Sequence, residues 1–367
     1  MRLQWLVPIV MLFGLAMGSN AQAQLLYAGG EDIDFTCNGG GACNVSTGGS
    51  YRTGWARESY AAAGTTSDPP TNRFATPTFT ANSTLWIHSQ FCTLGFLGGG
   101  CANASTTSNA QMLRVFDSSG NPTLVVRGTG NNNQLKISSR TAAGAFTDLV
   151  TCSSAFNATL TQLDLFINYG TSGEVTLYTN SVQVCDFTGN VTNGGGATTL
   201  NQVEFAGPTS GPAAAWSEVI VATTDTRAMG RFTANTSGNG TTTGFSGTNV
   251  CSAIWNVTSF NDANYGFSGT NNVVHECTIN NSIPAGSYSV LGLVMSARVL
   301  VGSTGPQHFD FVTRTGGTDY TSSDFAPTMT FSNFTNYIQT VNPATSNPWA
   351  VSDFQATGFN VGEKTKP

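Results

Sequence analysis

The sequence predicts an all-β protein made of two antiparallel β-sandwich (jelly-roll) domains, and three observations carry that expectation. Charged residues are only 9% of the 367, so the Glu, Lys and Arg that favour helices are scarce. Thr, Val and Phe, which suit a pleated surface, are abundant, with 23 Phe alone. Short apolar runs bounded by Gly, Asn and Ser recur from end to end, and 42 Gly are available for turns. A hydrophobic content of 40% excludes a disordered chain.

The elements follow in order. Arg2 precedes an apolar run over 3–18, broken by Gln4 and Pro8, and Ala21-Gln22-Ala23 offers the small residues a signal peptidase needs. Residues 1–23 are therefore expected to be a signal peptide with no place in the folded body. The run is short for a span of about 20 residues, and no later stretch is long enough, so no membrane span is expected after cleavage. Runs at 112–117, 123–127 and 134–138 read as strands around Ser118-Ser119-Gly120-Asn121 and a Gly-Asn tract. Over 163–169, Leu163, Leu165 and Ile167 fall on one face; Thr171-Ser172-Gly173 turns the chain into 174–179, and Asn180-Ser181 turns it into 182–187. Leu200–Phe205 and 216–222 close a first domain over 24–226. Such a meander covers its apolar faces only if two sheets stack. The pattern then restarts in a second domain, 227–367, with 238–247 as a long loop and strands at 288–301, 309–313 and 329–334. Trp86 and Trp216 lie inside strand patterns and read as core.

Eight cysteines, Cys37, Cys43, Cys92, Cys101, Cys152, Cys185, Cys251 and Cys277, all follow the leader, as in an exported disulfide framework. Pairing in succession is the simplest arrangement; sequence alone fixes none. A zinc site is the rival reading, with His275 the only histidine near a cysteine.

Composition also excludes functions. Lysine occurs only at 136, 364 and 366 in a chain of net charge −6, so nucleic acid is not an expected partner. There is no G-x-S-x-G elbow, and three histidines leave little choice of base, so catalysis is not expected and no catalytic residue is assigned. Glu31-Asp32-Ile33-Asp34 clusters carboxylates, but Glu31 and Asp32 would face opposite sides of a strand, which suits a solvated turn or a calcium contact. Calcium is accordingly the one cofactor kept open. For glycans the candidates are Tyr51, Trp55 and Tyr60, aromatic rings set among Arg52, Arg57 and Glu58; core packing accounts for Trp55 equally well.

The run 163–187, with Tyr178 central, and Trp216-Ser217-Glu218-Val219-Ile220-Val221 resemble the late and closing strands of a laminin-G or concanavalin-like jelly roll. Beyond the fold, the chain resembles bacteriophage and prophage structural proteins of the tail-associated or minor-virion kind. The matching pieces run in order: Gly29-Gly30-Glu31-Asp32, 216–222 with Asp225-Thr226-Arg227, Ser296-Ala297-Arg298, Gly305-Pro306, Gly316-Gly317-Thr318-Asp319-Tyr320, Asn342-Pro343-Ala344-Thr345 with Trp349, and Gly358-Phe359-Asn360. The resemblance implies a non-catalytic structural or host-contacting role, with virion subunits or host-surface glycans as partners. A leader and eight cysteines depart from a virion protein assembled in a reducing cytoplasm. They keep a secreted cellular lectin-like adhesin as the alternative, followed by a glycoside-active jelly roll, and the location as secreted or virion.

Overall fold

Strand Thr84–Thr93 shows how the chain makes its sheets: Leu85, Ile87 and Phe91 point inward and are buried, while Trp86 between them is half-buried on the other face. The computed structural model describes residues 2–4, 9–14, 24–30, 34–38, 60–63, 73–93, 106, 108–131, 133–154, 160–192, 197–207, 213–234, 236–247, 250–253, 265–279 and 288–367. It is nearly all strand, and the pairings between these strands are antiparallel; the two short helices among the described residues are Val250–Ala253 and Val351–Gln355. The described residues divide into a larger unit, drawn from 24–229, and a smaller one, drawn from 2–14 and 230–367.

The larger unit has two sheets. The first runs Val182–Gly189, Gly173–Thr179, Thr161–Asn168, Thr84–Thr93, Ala213–Ala222, Leu25–Gly29, with Tyr60–Ala63 also against Ala213–Ala222. The second runs Phe146–Ser154, Gln134–Arg140, Pro122–Gly128, Gln111–Asp117, Leu200–Phe205, Arg73–Ala75, Thr36–Asn38. Asn180 and Ser181 have φ of 49° and 65°, the pair of left-handed residues that a tight hairpin between right-twisted strands requires. Between the sheets lies one apolar core, with Phe74, Phe91, Phe205 and Trp216 among its largest members.

In the smaller unit, Thr236–Thr243, Val274–Ile279, Asn360–Lys366, His308–Thr315 and Thr318–Thr321 form a sheet, and Phe309, Phe311, Leu293 and Trp349 are buried in its core. Two expectations change here. Residues 238–247, expected as a loop, are largely the edge strand Thr236–Thr243; a Cβ on Gly240 would stand 2.7 Å from the Cβ of Glu276, so the glycine that reads as a turn signal instead permits close approach to the neighbouring strand. Within the leader region, Arg2–Gln4 and Ile9–Gly14 are strands paired with Ser289–Leu300. An apolar run meets the needs of an export leader and of a buried strand alike, so the pattern does not separate the two.

Cys152 bonds Cys185 with Cα atoms 4.5 Å apart, and Cys251 bonds Cys277 at 5.4 Å. Cys37 and Cys92 are also disulfide-bonded, whereas Cys43 and Cys101 lie outside the described residues. The first of these bridges joins Phe146–Ser154, an edge of the second sheet, to Val182–Gly189, an edge of the first. It closes a loop with a sequence separation of 33. We expect the double substitution Cys152→Ala/Cys185→Ala to lower unfolding free energy by about 3–4 kcal/mol in urea titrations at unchanged far-ultraviolet circular dichroism.

Candidate functional site

Four basic side chains of the larger unit come together on the outward face of the second sheet. Each is placed there by its neighbours: Phe74 beside Arg73, Leu113 and Val115 beside Arg114, Val126 beside Arg127, and Leu135 and Ile137 beside Lys136 are all buried. Alternation leaves the charged residue no other side. Register then sets Glu204 opposite Arg114 and Lys136 opposite Arg127.

Two carboxylates are each gripped by two cations. Glu204 Oε2 accepts from Arg73 Nε at 2.8 Å and its Oε1 from Arg114 Nη1 at 2.7 Å. Asp148 Oδ1 accepts from Arg127 Nη2 at 2.6 Å and its Oδ2 from Lys136 Nζ at 2.8 Å. Ser138 links the second group, accepting from Arg127 Nε at 2.7 Å and donating to Asp148 at 2.7 Å. Four cations against two carboxylates leave a surplus of positive charge on one face of a chain whose net charge is −6. From the strand of Lys136 to that of Arg73 there are four inter-strand steps, a belt of roughly 19 Å. Side-chain exposure runs from 6% at Arg114 to 22% at Arg73, so the charged heads lie fixed along the sheet instead of sampling solvent. Chemically, the belt can hold carboxylate or sulfate groups in a row. The low lysine count argues against any such patch; strand order, which composition does not contain, assembles it.

Other clusters are closed. On the outward face of the first sheet Trp86 lies 4.9 Å from Phe166 and 5.8 Å from Tyr178, ring centroid to ring centroid, so Trp86 is a surface residue and not core as expected; Trp216 is core. The Arg227 guanidinium covers these rings, 4.4 Å above Tyr178 and 5.4 Å from Trp86, and is tied to Asp225 at 3.0 Å. His88 Nδ1 meets Asp164 Oδ1 at 2.8 Å, and the Thr226 hydroxyl donates to the same oxygen at 2.7 Å, but both ionisable side chains are 0% exposed and out of reach of a substrate. Burial pushes the Asp164 carboxyl up; the charge and hydrogen bond of His88, with bonds from Gln162 and Thr226, outweigh it and hold it below the usual value. Cys251, His275 and Cys277 converge as a metal site would, yet the two sulfurs are bonded to each other. His275 Nδ1 accepts the Phe245 amide at 3.3 Å, which puts the proton of the neutral ring on Nε2, facing Cys251 Sγ at 3.3 Å. Burial holds this ring neutral, with its pKa lowered to about 4.

Of the residues singled out for glycans, Tyr51 and Trp55 lie outside the described residues, and Tyr60 is described only as backbone, in a strand opposite Trp216. Glu31 and Asp32 are likewise outside; Asp34 is buried and accepts the Gly30 amide at 2.9 Å. Sequence reasoning passed over Arg73, Arg114, Arg127 and Lys136. The available signal was a cation flanked by inward-facing apolar residues inside a strand.

No family model and no curated protein matches the chain. Among solved structures, endo-β-1,4-glucuronan lyase from the fungus Trichoderma reesei aligns at 11% identity and TM-score 0.34 over 55% of this chain and 92% of its own. Alginate lyase Aly36B aligns at 10% and 0.27 over 51% and 96%, and domain 4 of the extracellular arabinanase AbnA from Geobacillus stearothermophilus at 13% and 0.35 over 58% and 95%. At these scores the likeness carries no argument about activity in this chain. The expectation that catalysis is absent rested on the missing G-x-S-x-G elbow and the three histidines; proteins named as polysaccharide lyases stand among the aligned structures, and that expectation is withdrawn.

Asp148 reports on the belt. Burial raises its carboxyl, but bonds from Lys136, Arg127 and Ser138 outweigh this and bring it from 3.8 to about 2. A carboxyl held below its unfolded value adds stability that is whole above the unfolded value and is lost as pH falls through the folded one. We expect Asp148→Asn to cost about 1 kcal/mol at neutral pH, since the group is partly exposed and screened. The difference from the parent chain in urea titrations should shrink between pH 3.8 and about 2.

Proposed function

We propose that the larger unit binds a carboxylated polysaccharide along the cation belt. One observation carries this reading: the face already grips two carboxylates, Glu204 and Asp148, with paired cations, and keeps a positive surplus across the strands. Arginine forks match carboxylates in shape as well as charge, and side chains held in place lose little entropy when a ligand arrives. Disulfides suit an oxidising compartment, where such polymers are met, and among the described residues no helix is long and apolar enough to cross a membrane. A host-contacting role of the kind the phage resemblance implies calls for the same ligand class, host-surface glycans.

Affinity electrophoresis tests the reading. The chain should be retarded in native gels containing polygalacturonate and not in gels containing dextran, and the retardation should fade as salt is raised. Arg127→Gln/Lys136→Gln should weaken it on the order of tenfold, the loss of roughly one charge-assisted contact. Equal retardation by dextran, or by a duplex oligonucleotide in preference to polygalacturonate, would sink the proposal.

A further inference from the structure

The smaller unit has a cleft of about 500 Å³ that the belt does not involve. Gly240, Thr241, Thr278, Gln355, Thr357 and Asn360 line it, with Phe359 as an apolar patch, and none of its described lining residues is charged. We propose that this cleft binds a neutral sugar residue, recognised through a pair of adjacent hydroxyls or an acetamido group.

The inference starts from Asn360, whose side chain has its polarity fixed from behind. Its Nδ2 donates to Thr241 Oγ1 at 2.9 Å and to Glu276 Oε2 at 3.1 Å, which commits both amide hydrogens. Its carbonyl Oδ1 is left as an acceptor, and no donor among the described residues reaches it, although the residue is only 1% exposed. Thr241 Oγ1 is an acceptor in its bond to Asn360, so its own hydrogen is available to a ligand. A donor and an acceptor therefore stand side by side at the wall of the cleft. Two neighbouring sugar hydroxyls, or the N–H and C=O of an acetamido group, present the complementary pair.

The wall is held rigidly. Glu276 is buried, and its Oε2 also accepts the Thr242 amide at 3.2 Å, so the carboxylate anchors both the amide side chain and the strand carrying Thr241. Gly240 lies against the same pair: a Cβ there would stand 3.0 Å from Asn360 Cγ. Behind Glu276, Arg314 approaches its Oε1 at 3.6 Å and also pairs with Asp319. Neither carboxylate lines the cleft, and among the described residues no cation does, so nothing there would balance an anionic ligand. Burial, together with Asp319, raises the Glu276 carboxyl, which lowers the negative charge at the back wall still further.

Saturation-transfer NMR on the full chain tests the proposal with three probes: methyl glucoside, methyl N-acetylglucosaminide and methyl glucuronide. One of the two neutral glycosides should bind, and which one is tighter tells the hydroxyl pair from the acetamido group. With the belt disabled by Arg127→Gln/Lys136→Gln, the glucuronide should bind on the order of tenfold more weakly. Thr241→Val, at an exposed position, should reduce affinity on the order of tenfold through loss of a single hydrogen bond. Thr357→Trp, exposed and without a side-chain role in the fold, should abolish binding by filling the cleft, at an unchanged melting temperature. Arg127→Gln/Lys136→Gln, on the belt, should leave the signals of the two neutral glycosides untouched, so failure of either proposal is visible apart from the other. Absence of signal from both neutral glycosides, unaltered binding of them in Thr357→Trp, or, in the Arg127→Gln/Lys136→Gln chain, a glucuronide as tight as its neutral partners would overturn the proposal.

Discussion

Trp216 is the joint on which the larger unit depends. It belongs to the first sheet, yet its ring lies 4.7 Å from Phe91 of that sheet and 4.9 Å from Phe205 of the second, while its indole N–H donates to the Ala206 carbonyl at 2.9 Å. Phe205 in turn stacks on Phe74 at 5.3 Å, and Phe35 meets Phe74 at 4.8 Å. One aromatic chain thus crosses from sheet to sheet, burying large apolar area and satisfying its single polar atom. At the far edge, the Cys152–Cys185 bond fixes the other side of the sandwich. With both ends of the interlayer pinned, a strand cannot slip register without moving every inward residue into solvent.

That rigidity is what makes an outward face predictable. Arg114 cannot turn inward without displacing Leu113 and Val115, and the same holds for Arg127 and Lys136 with their neighbours. Carboxylates between the cations serve a second end: an unbroken row of positive charge would repel itself, whereas Glu204 and Asp148 hold it together. In the smaller unit the cleft uses the opposite arrangement: Glu276 stands behind Asn360, and the described lining residues are neutral.

Much of the fold was legible because alternation and turn chemistry are local. Leu200–Phe205 was bounded to the residue, and Asn180-Ser181 read as the hairpin turn it is. Trp86 was misplaced although parity could have placed it, since Leu85 and Ile87 on either side are inward. Thr236–Thr243 was missed because Gly, Thr and Asn in an edge strand look like a loop until a neighbour lies against them. The sites were out of reach for a different reason. Arg73 and Glu204 are 131 residues apart in sequence, and Thr241 and Asn360 are 119 apart, so each constellation exists only through strand order. Tyr51 and Trp55 attracted attention because they sit close together along the chain, which is the kind of nearness a sequence shows.

The strand order also has a consequence for synthesis. Leu25–Gly29, an early strand, pairs with Ala213–Ala222, with Gly29 opposite Val219. A ribosome adding roughly 5–20 residues per second needs on the order of 10–40 s to make the intervening ~190 residues. Thr84–Thr93, once made, lacks its partner on one side for the rest of that time, and Phe91 waits for Trp216. The nascent unit is therefore an open-edged sheet with an unfilled aromatic core, and it closes only when its last strand emerges. A chain that stalls before that strand is an adhesive fragment, not a smaller sandwich.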